Sequence, residues 1–298
     1  MRNILGIYKN GNYNVIMLND GTKIRRTEAD SFIPEFPECI DVKLTDKCDG
    51  GCKYCYENCT PNSPHSDILS QNWIKTIRPY TELAINGNDL THPQLVAFLI
   101  LMKKRNVIVN ITVNQRHFLD KFEFIQKLSN DGLIKGIGVS LTDSSVIELF
   151  DRIKEVANVV IHTIAGILTD KDIKVLMANN AKVLILGYKV VGRGIVFYEK
   201  NRTNIDRNQV ILKGYLDKMI KECDVVSFDN LALKQLDVKN TLFKDRTDWD
   251  EFYMGDDGKF TFYIDAVKQT YSKNSLNKDQ YFQIKDDVIE MFNHIKTL

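Results

Sequence analysis

Short apolar runs rich in Val and Ile alternate with longer amphipathic stretches along most of this chain. Such an alternation is typical of parallel β-strands that are separated by crossover helices. The apolar runs predict strands at 40–44, 82–85, 107–112, 136–140, 159–164 and 182–187. The amphipathic stretches predict helices at 70–80, 93–104, 118–130, 146–156 and 170–179.

These repeating units predict an α/β fold, a partial (β/α)6 barrel of the TIM type. A further predicted helix at 208–222 and predicted strands at 224–228 and 260–263 extend it towards eight strands. The polar stretch before 260 interrupts the alternation of predicted strands and helices. In the region 280–295, Val288, Phe292 and Ile295 lie at helical spacing and predict a C-terminal helix.

The chain begins differently, with alternating strand patterns at 13–18 and 22–26 on either side of an Asp20-Gly21 turn. This pattern predicts a β-hairpin. We therefore expect an N-terminal hairpin and linker at 1–38, a barrel core at 39–228 and a C-terminal α+β extension at 229–298 that covers the barrel.

The composition of the chain bears on whether it binds nucleic acid or a membrane. The 298 residues include 44% hydrophobic ones, enough to bury a large core, and the formal charge of +1 gives no global field that would attract nucleic acid. The longest apolar run, 95–102, is too short to span a bilayer, and the N-terminus has no apolar signal segment. We expect a cytoplasmic protein with no membrane partner, and a nucleic-acid partner is not indicated.

Three cysteines, Cys48, Cys52 and Cys55, follow directly after the first predicted core strand. Thiolates this close together cannot all pair as disulfides, and three soft ligands favour an iron–sulfur cluster or zinc over a hard metal. Because the loop follows a strand of a predicted barrel, we expect it at the carboxyl-terminal rim, where such barrels carry out their chemistry.

The C-x3-C-x2-C spacing, with an aromatic residue, Tyr54, before the last cysteine, resembles the signature of the radical S-adenosylmethionine enzymes. The resemblance implies a 4Fe-4S cluster on Cys48, Cys52 and Cys55, with S-adenosylmethionine on its open iron. Reductive cleavage would then give a 5'-deoxyadenosyl radical that removes hydrogen from a small-molecule or peptide substrate. It also implies a one-electron donor such as flavodoxin or ferredoxin.

A fourth cysteine, Cys59, leaves two other interpretations open. The four thiols could hold zinc tetrahedrally, or they could ligate an electron-transfer cluster completely. In either case the chain would be a non-enzymatic module that binds a partner or transfers electrons.

The same resemblance indicates residues that would contact S-adenosylmethionine. Where the family carries Gly-Gly-Glu after the second strand, this chain has Asn86 followed by Gly87, Asn88 and Asp89. Glycine permits close approach of a ligand and the two polar side chains offer acceptors for an ammonium group, although a plain turn would have the same composition.

Polar residues after later strands complete the candidate site. Asn114 and Ser140 lie where the family contacts ribose and carboxylate, but Ser140 could instead cap the next helix. Lys189 and Arg193 lie in a glycine-containing segment that resembles the family's adenine- and substrate-facing loop, or that forms a solvated loop. His162, inside the fifth predicted strand, fits a barrel-lining imidazole better than a catalyst.

Overall fold

The computed structural model describes residues 3–88, 90–244, 248–253, 255–276 and 280–298. The strands are β1 Ile4–Asn10, β2 Tyr13–Leu18, β3 Lys23–Arg26, β4 Cys39–Lys43, β5 Glu82–Asn88, β6 Ile108–Asn114, β7 Gly136–Ser140, β8 Val159–Ile164, β9 Lys182–Leu186, β10 Val225–Phe228, β11 Thr261–Asp265, β12 Thr270–Ser272 and β13 Phe282–Gln283.

The α-helices are α1 Leu95–Lys104, α2 Gln115–Asp120, α3 Phe122–Asn130, α4 Ile147–Arg152, α5 Asp170–Ala178, α6 Arg193–Glu222, α7 Asn230–Gln235, α8 Val238–Leu242, α9 Trp249–Phe252 and α10 Val288–Lys296. Among the residues described, no helix is both long and apolar enough to cross a membrane.

The protein is a mixed α/β structure built on one large sheet, ordered β10-β9-β8-β7-β6-β5-β4-β11-β12-β13. Pairing is parallel from β10 to β11 and antiparallel in the last two strands. Alternate residues such as Ile40, Val42 and Ile111 are buried in the hydrophobic core of the molecule. Within the described residues the sheet stays open, because β10 and β13 form its two ends and do not pair.

The sheet is strongly curved. Six strand spacings of roughly 4.8 Å would separate β10 from β4 by about 29 Å in a flat sheet. Asp229, directly after β10, nevertheless lies near enough to Asp41 in β4 to act on it electrostatically. The amide of Asn230 also donates to Asp257, before β11, at 2.7 Å. The curvature gives the sheet a concave face, which carries the residues that alternate with the buried ones.

The N-terminal residues form a small antiparallel sheet, β1-β2-β3, at the amino ends of the core strands. Arg25 binds Glu38 through its Nε at 2.7 Å, and Lys23 binds Glu82 at 2.5 Å. Tyr13 donates to the same Glu38 at 2.6 Å. The predicted hairpin is therefore present, with β1 as a further strand, and buried ion pairs hold it to the start of β4 and β5.

Several predicted elements have different bounds. The predicted helix at 70–80 is replaced by the 3-10 turns Ile68–Ser70 and Asn72–Lys75, because tertiary contacts hold Gln71 extended. Its amide donates to the carbonyl oxygen of Ala266 at 3.0 Å and accepts from the Trp73 indole at 2.6 Å.

Other differences also follow from local geometry. The predicted helix at 118–130 is broken at Lys121, which has non-helical angles, and becomes α2 and α3. The predicted helix at 208–222 is the second half of the longer α6. In the C-terminal region, helix α10 begins only after Asp287, whose carboxylate accepts from the amides of Ile289 and Glu290.

Candidate functional site

The cysteine loop follows β4 and is closed at its base. Lys47 pairs with Thr60 as an isolated bridge, and the Cys48 amide donates to the Thr60 carbonyl oxygen at 3.0 Å. Inside the loop, Asn58 has a left-handed φ of 58°, a conformation that asparagine tolerates better than most residues. This turn reverses the chain, so that Cys59 lies next to Cys55.

Cys55 and Cys59 form a thiol pair. The Cys59 thiol and the backbone N–H groups of Cys59 and Glu57 donate to the Cys55 sulfur, and Arg193 adds a positive charge nearby. The Cys59 hydrogen bond is the largest of the influences that lower the pKa of Cys55 to about 6. The same contact, together with burial, raises the pKa of Cys59. These opposite shifts favour a thiolate on Cys55 beside a thiol on Cys59, with Cys55 half-buried and Cys59 buried.

The other two cysteines have partners of their own. Gly50 donates its amide hydrogen to the Cys48 sulfur at 3.3 Å. The side-chain amide of Asn114, at the end of β6, donates to the Cys52 sulfur at 3.7 Å. Burial raises the pKa of Cys52, so this sulfur is held mainly as a thiol.

These contacts bear on the predicted cluster site. In the described parts of the chain, which include all four cysteines of the loop, no group of three or more His, Cys, Asp and Glu side chains is arranged to hold a metal ion. The described residues therefore do not form a group that would hold the predicted cluster on Cys48, Cys52 and Cys55, or a four-cysteine zinc or iron–sulfur site. The sulfur atoms are instead engaged with separate hydrogen-bond donors.

Asn88 anchors the cysteine loop from the neighbouring strand. Its side-chain amide donates to the carbonyl oxygens of Thr45 and Lys47 at 3.3 and 3.4 Å and to the Cys59 sulfur at 3.7 Å. The pairing of β5 with β6 shifts register between Asn86 and Asn88. Gly87 lies within β5 and not in a turn after it. The predicted ligand Asp89 lies outside the described residues. Asn88 therefore acts on the loop through hydrogen bonds; its predicted contact with S-adenosylmethionine stays a prediction.

Arg193, the first residue of α6, binds the loop through hydrogen bonds from the opposite side of the curved sheet. Its guanidinium donates to the carbonyl oxygens of Cys52 and Cys59 at 3.1 and 3.0 Å. Its backbone amide donates to the Cys55 carbonyl oxygen at 3.0 Å. The contact requires Gly192, because a Cβ at that position would lie 2.5 Å from the carbonyl oxygen of Tyr56. The glycines and the cation in this segment thus hold the loop.

Two aromatic residues of the loop face α6 and the segment before it. Tyr54 packs edge-on against Phe197, with ring centroids 5.7 Å apart, and burial raises its pKa to about 12. Lys189 places its Nζ 3.9 Å from the centre of the Tyr56 ring and donates to the Ser275 hydroxyl at 3.1 Å. Tyr54 and Lys189, predicted to bind a cofactor, therefore lie on two sides of the same loop.

The concave face beside the loop carries further polar groups. In register across β6, β7 and β8 lie Asn114, Ser140 and His162, in that order. Ser140 does not cap the next helix, because the residue before α4 is Val146 and no side chain caps it. Enclosure by protein lowers the pKa of His162 to about 4, so the imidazole is neutral at physiological pH.

Asp41 is a residue of this face that the sequence analysis did not single out. Its neighbours in β4, Ile40 and Val42, are buried, whereas Asp41 is exposed on the concave side. Surrounding protein raises its pKa to about 6 despite the opposing charge of Lys189. The sequence did contain a signal for Asp41, because a charged residue stands between the apolar residues Ile40 and Val42 of a predicted strand.

Comparison with known proteins gives no family. No protein-family model matches the chain, and no curated protein matches it. Among solved structures, the chain is similar to MGS-M4, an aldo-keto reductase enzyme from a Medee basin deep-sea metagenome library, with a TM-score of 0.30 and 10% sequence identity. The likeness covers 80% of this chain and 91% of that one, and at this score it carries no conclusion about activity.

These findings correct the predicted assignment. The resemblance to radical S-adenosylmethionine enzymes rested on a short cysteine motif; no family model supports it, and the motif does not form a metal-holding group in the described residues. The predicted family, its radical reaction and the four-cysteine metal module are therefore set aside. The established features are a curved parallel sheet, a thiol pair at its edge and a polar concave face beside it.

Proposed function

We propose that this chain is an enzyme that transfers two electrons between a Cys55–Cys59 dithiol and an external disulfide. The observation that carries the proposal is the arrangement around the Cys55 sulfur. It accepts hydrogen bonds from the Cys59 thiol and from two backbone N–H groups. A thiolate with a second thiol in contact is the arrangement that thiol–disulfide exchange requires.

The reaction proceeds in two displacements. The Cys55 thiolate attacks one sulfur of the external disulfide, forms a mixed disulfide and releases the other sulfur as a thiolate, which takes a proton from water. Cys59 then loses its proton and attacks the Cys55 sulfur, releasing the second substrate thiol. The protein ends with a Cys55–Cys59 disulfide, and the substrate has gained two electrons and two protons.

The position of the pair supports a catalytic role. The proposal takes the curved sheet as an incomplete TIM-type barrel, in which the loops at the carboxyl ends of the strands carry the chemistry. The cysteine loop follows β4 at that end and borders the polar concave face, so a small-molecule or peptide disulfide would meet Cys55 there. A dithiol reductant in the cytoplasm would regenerate the reduced pair.

The test begins with protein purified without oxygen and analysed for iron, sulfide and zinc. The reduced protein is then treated with oxidised glutathione, and its cysteines are mapped by mass spectrometry. We expect a Cys55–Cys59 disulfide in the wild type and no such product in Cys55→Ala. Cys59→Ala should accumulate glutathione on Cys55, because the resolving thiol is missing. Cys223→Ala, which removes a buried cysteine elsewhere, should behave as the wild type.

Two results would contradict the proposal. One is a stoichiometric metal or iron–sulfur cluster in the purified protein whose retention needs Cys48, Cys52 and Cys55. The other is an oxidised protein in which Cys55 and Cys59 remain free thiols or pair with other cysteines.

A further inference from the structure

The concave face carries a carboxylate without a direct partner. Asp41 lies in β4, between β5 and β11, and is exposed on that face. Within the described residues, the contacts found for it are electrostatic ones with Lys189, Asp257 and Asp229, and they include neither a hydrogen bond nor a close ion pair. Asp41 is therefore available to a ligand.

The Lys189 ammonium is a cation near enough to Asp41 to act on it electrostatically. Lys189 donates to Ser275 and rests over the Tyr56 ring, and in the part of the chain that is described no carboxylate lies within ion-pair distance of its Nζ. It acts on Asp41 only at longer range. The two opposite charges thus act on each other without forming an ion pair among the described residues.

The neighbouring carboxylates are already occupied. Asp229 accepts from the amides of Gly187 and Ala232 at 2.9 and 2.7 Å, which holds the chain after β9 and caps α7. Asp257 accepts from the side-chain amides of Asn230 and Asn274 at 2.7 and 2.6 Å. Of these four charged groups, Asp41 and Lys189 are therefore the two that have no ion-pair or capping role among the described residues.

We propose that the concave face binds a small zwitterion of the amino-acid class, with its ammonium group at Asp41 and its carboxylate at Lys189. The ammonium group of such a ligand donates hydrogen bonds to Asp41, and its carboxylate supplies an anion to Lys189. Each charged group of the ligand therefore has a partner of opposite charge in the complex. Tyr56 forms one wall of the site and is adjacent in sequence to Cys55. The inference goes beyond the proposed function, because this binding uses neither thiol.

The test is a binding screen of the twenty common L-amino acids, one at a time, by saturation-transfer NMR and then by calorimetry. We expect at least one to bind. Its amine without the carboxylate and its acid without the amine should each bind at least tenfold more weakly, since each lacks one of the two charges. Asp41→Asn and Lys189→Met should each weaken binding at least tenfold.

Matched controls separate this site from surface charge. Asp151 and Lys154 form an exposed ion pair at and just after α4, so Asp151→Asn and Lys154→Met should leave affinity unchanged. Thermal unfolding of every variant confirms that it is folded. Cys55→Ala should retain binding, which distinguishes failure of this inference from failure of the thiol reaction. Absence of binding by all twenty amino acids at millimolar concentration, or equal affinity in wild type and Asp41→Asn, would overturn the inference.

Discussion

The imidazole of His162 in β8 lies directly over Gly138 in the neighbouring strand β7. A Cβ added at Gly138 would lie 2.2 Å from Cε1 and 2.4 Å from Nε2 of that ring, closer than non-bonded atoms can approach. The glycine thus lets the ring fold across the concave face. Side chains on this face are positioned by their neighbours on adjacent strands, so adding even a methyl group to a neighbour should displace them.

The first prediction tests that contact. Gly138→Ala should destabilise the protein by about 1–3 kcal/mol, because the new methyl group forces the imidazole out of its place. In a His162→Ala background the same change should cost much less, and a double-mutant cycle by urea unfolding measures the difference. Gly214→Ala is the control, since a Cβ there meets no atom within 4 Å and Gly214 lies in α6. It should stabilise the protein by about 0.5–1 kcal/mol.

The second prediction concerns Asp41 and pH. Enclosure raises the pKa of its carboxyl group from 3.8 to about 6 in the folded protein. A raised carboxyl pKa means that the folded state prefers the protonated acid, so this group lowers stability as pH rises from about 4 to above 6. Asp41→Asn should therefore raise the free energy of unfolding at pH 7 by about 1 kcal/mol, a figure reduced because the carboxylate is solvent-accessible.

At pH 3 the same variant should match the wild type, since Asp41 is then mainly protonated in both the folded and the unfolded states. Thermal melts at pH 3 and pH 7 give the comparison. A variant that is less stable than the wild type at pH 7 would show that Asp41 has a stabilising partner, and the account of the concave face given above would be wrong.

The third prediction concerns the reactivity of Cys55. Because the Cys59 thiol and nearby N–H groups lower the pKa of Cys55 to about 6, its alkylation rate by iodoacetamide should reach half its plateau near pH 6. Cys59→Ala removes the largest of these influences, so the midpoint should move to higher pH. Cys223, whose pKa burial raises, should react slowly throughout and serves as the internal reference. Equal profiles for wild type and Cys59→Ala would contradict the thiol pair.

The fourth prediction concerns the N-terminal sheet. Glu38 accepts from Arg25 at 2.7 and 2.8 Å and from Tyr13 at 2.6 Å. Burial alone would raise its pKa, but the contacts with Arg25 outweigh burial and the net pKa is lowered. Glu38→Ala removes the buried carboxylate that Arg25 and Tyr13 contact and should cost about 3–5 kcal/mol.

The pH dependence of that cost follows from the lowered pKa. The stabilisation from Glu38 is present above its unfolded-state pKa and is lost as pH falls through the lower folded-state value, so the wild type and Glu38→Ala should converge in acid. Urea unfolding between pH 3 and pH 7 measures this. Glu148→Ala, which breaks an exposed ion pair with Arg152, should change stability by no more than about 1 kcal/mol.

Local pattern was enough to predict the main strands. The Val- and Ile-rich runs became β4 to β9 with small changes in bounds, because strands buried against helices need continuous apolar residues wherever they lie. The pattern was not enough for 70–80, where contacts from Ala266 and within the turn hold Gln71 out of a helix. Helical spacing in sequence does not reveal a distant hydrogen-bond partner.

The amino-acid sequence by itself determined that four cysteines lie in one loop after the first core strand, and that parallel strands place this loop at a carboxyl-terminal edge. Only the tertiary structure decided which sulfur atoms meet. Asn114 holds Cys52, and Asn88 and Arg193 hold the end of the loop near Cys59, although these residues are distant in sequence. Curvature of the sheet likewise brings Lys189 near enough to Asp41 to act on it electrostatically. The spacing of residues along the chain limits which side chains of one loop can meet. The contacts that form depend on where the folded backbone places residues that are distant in sequence.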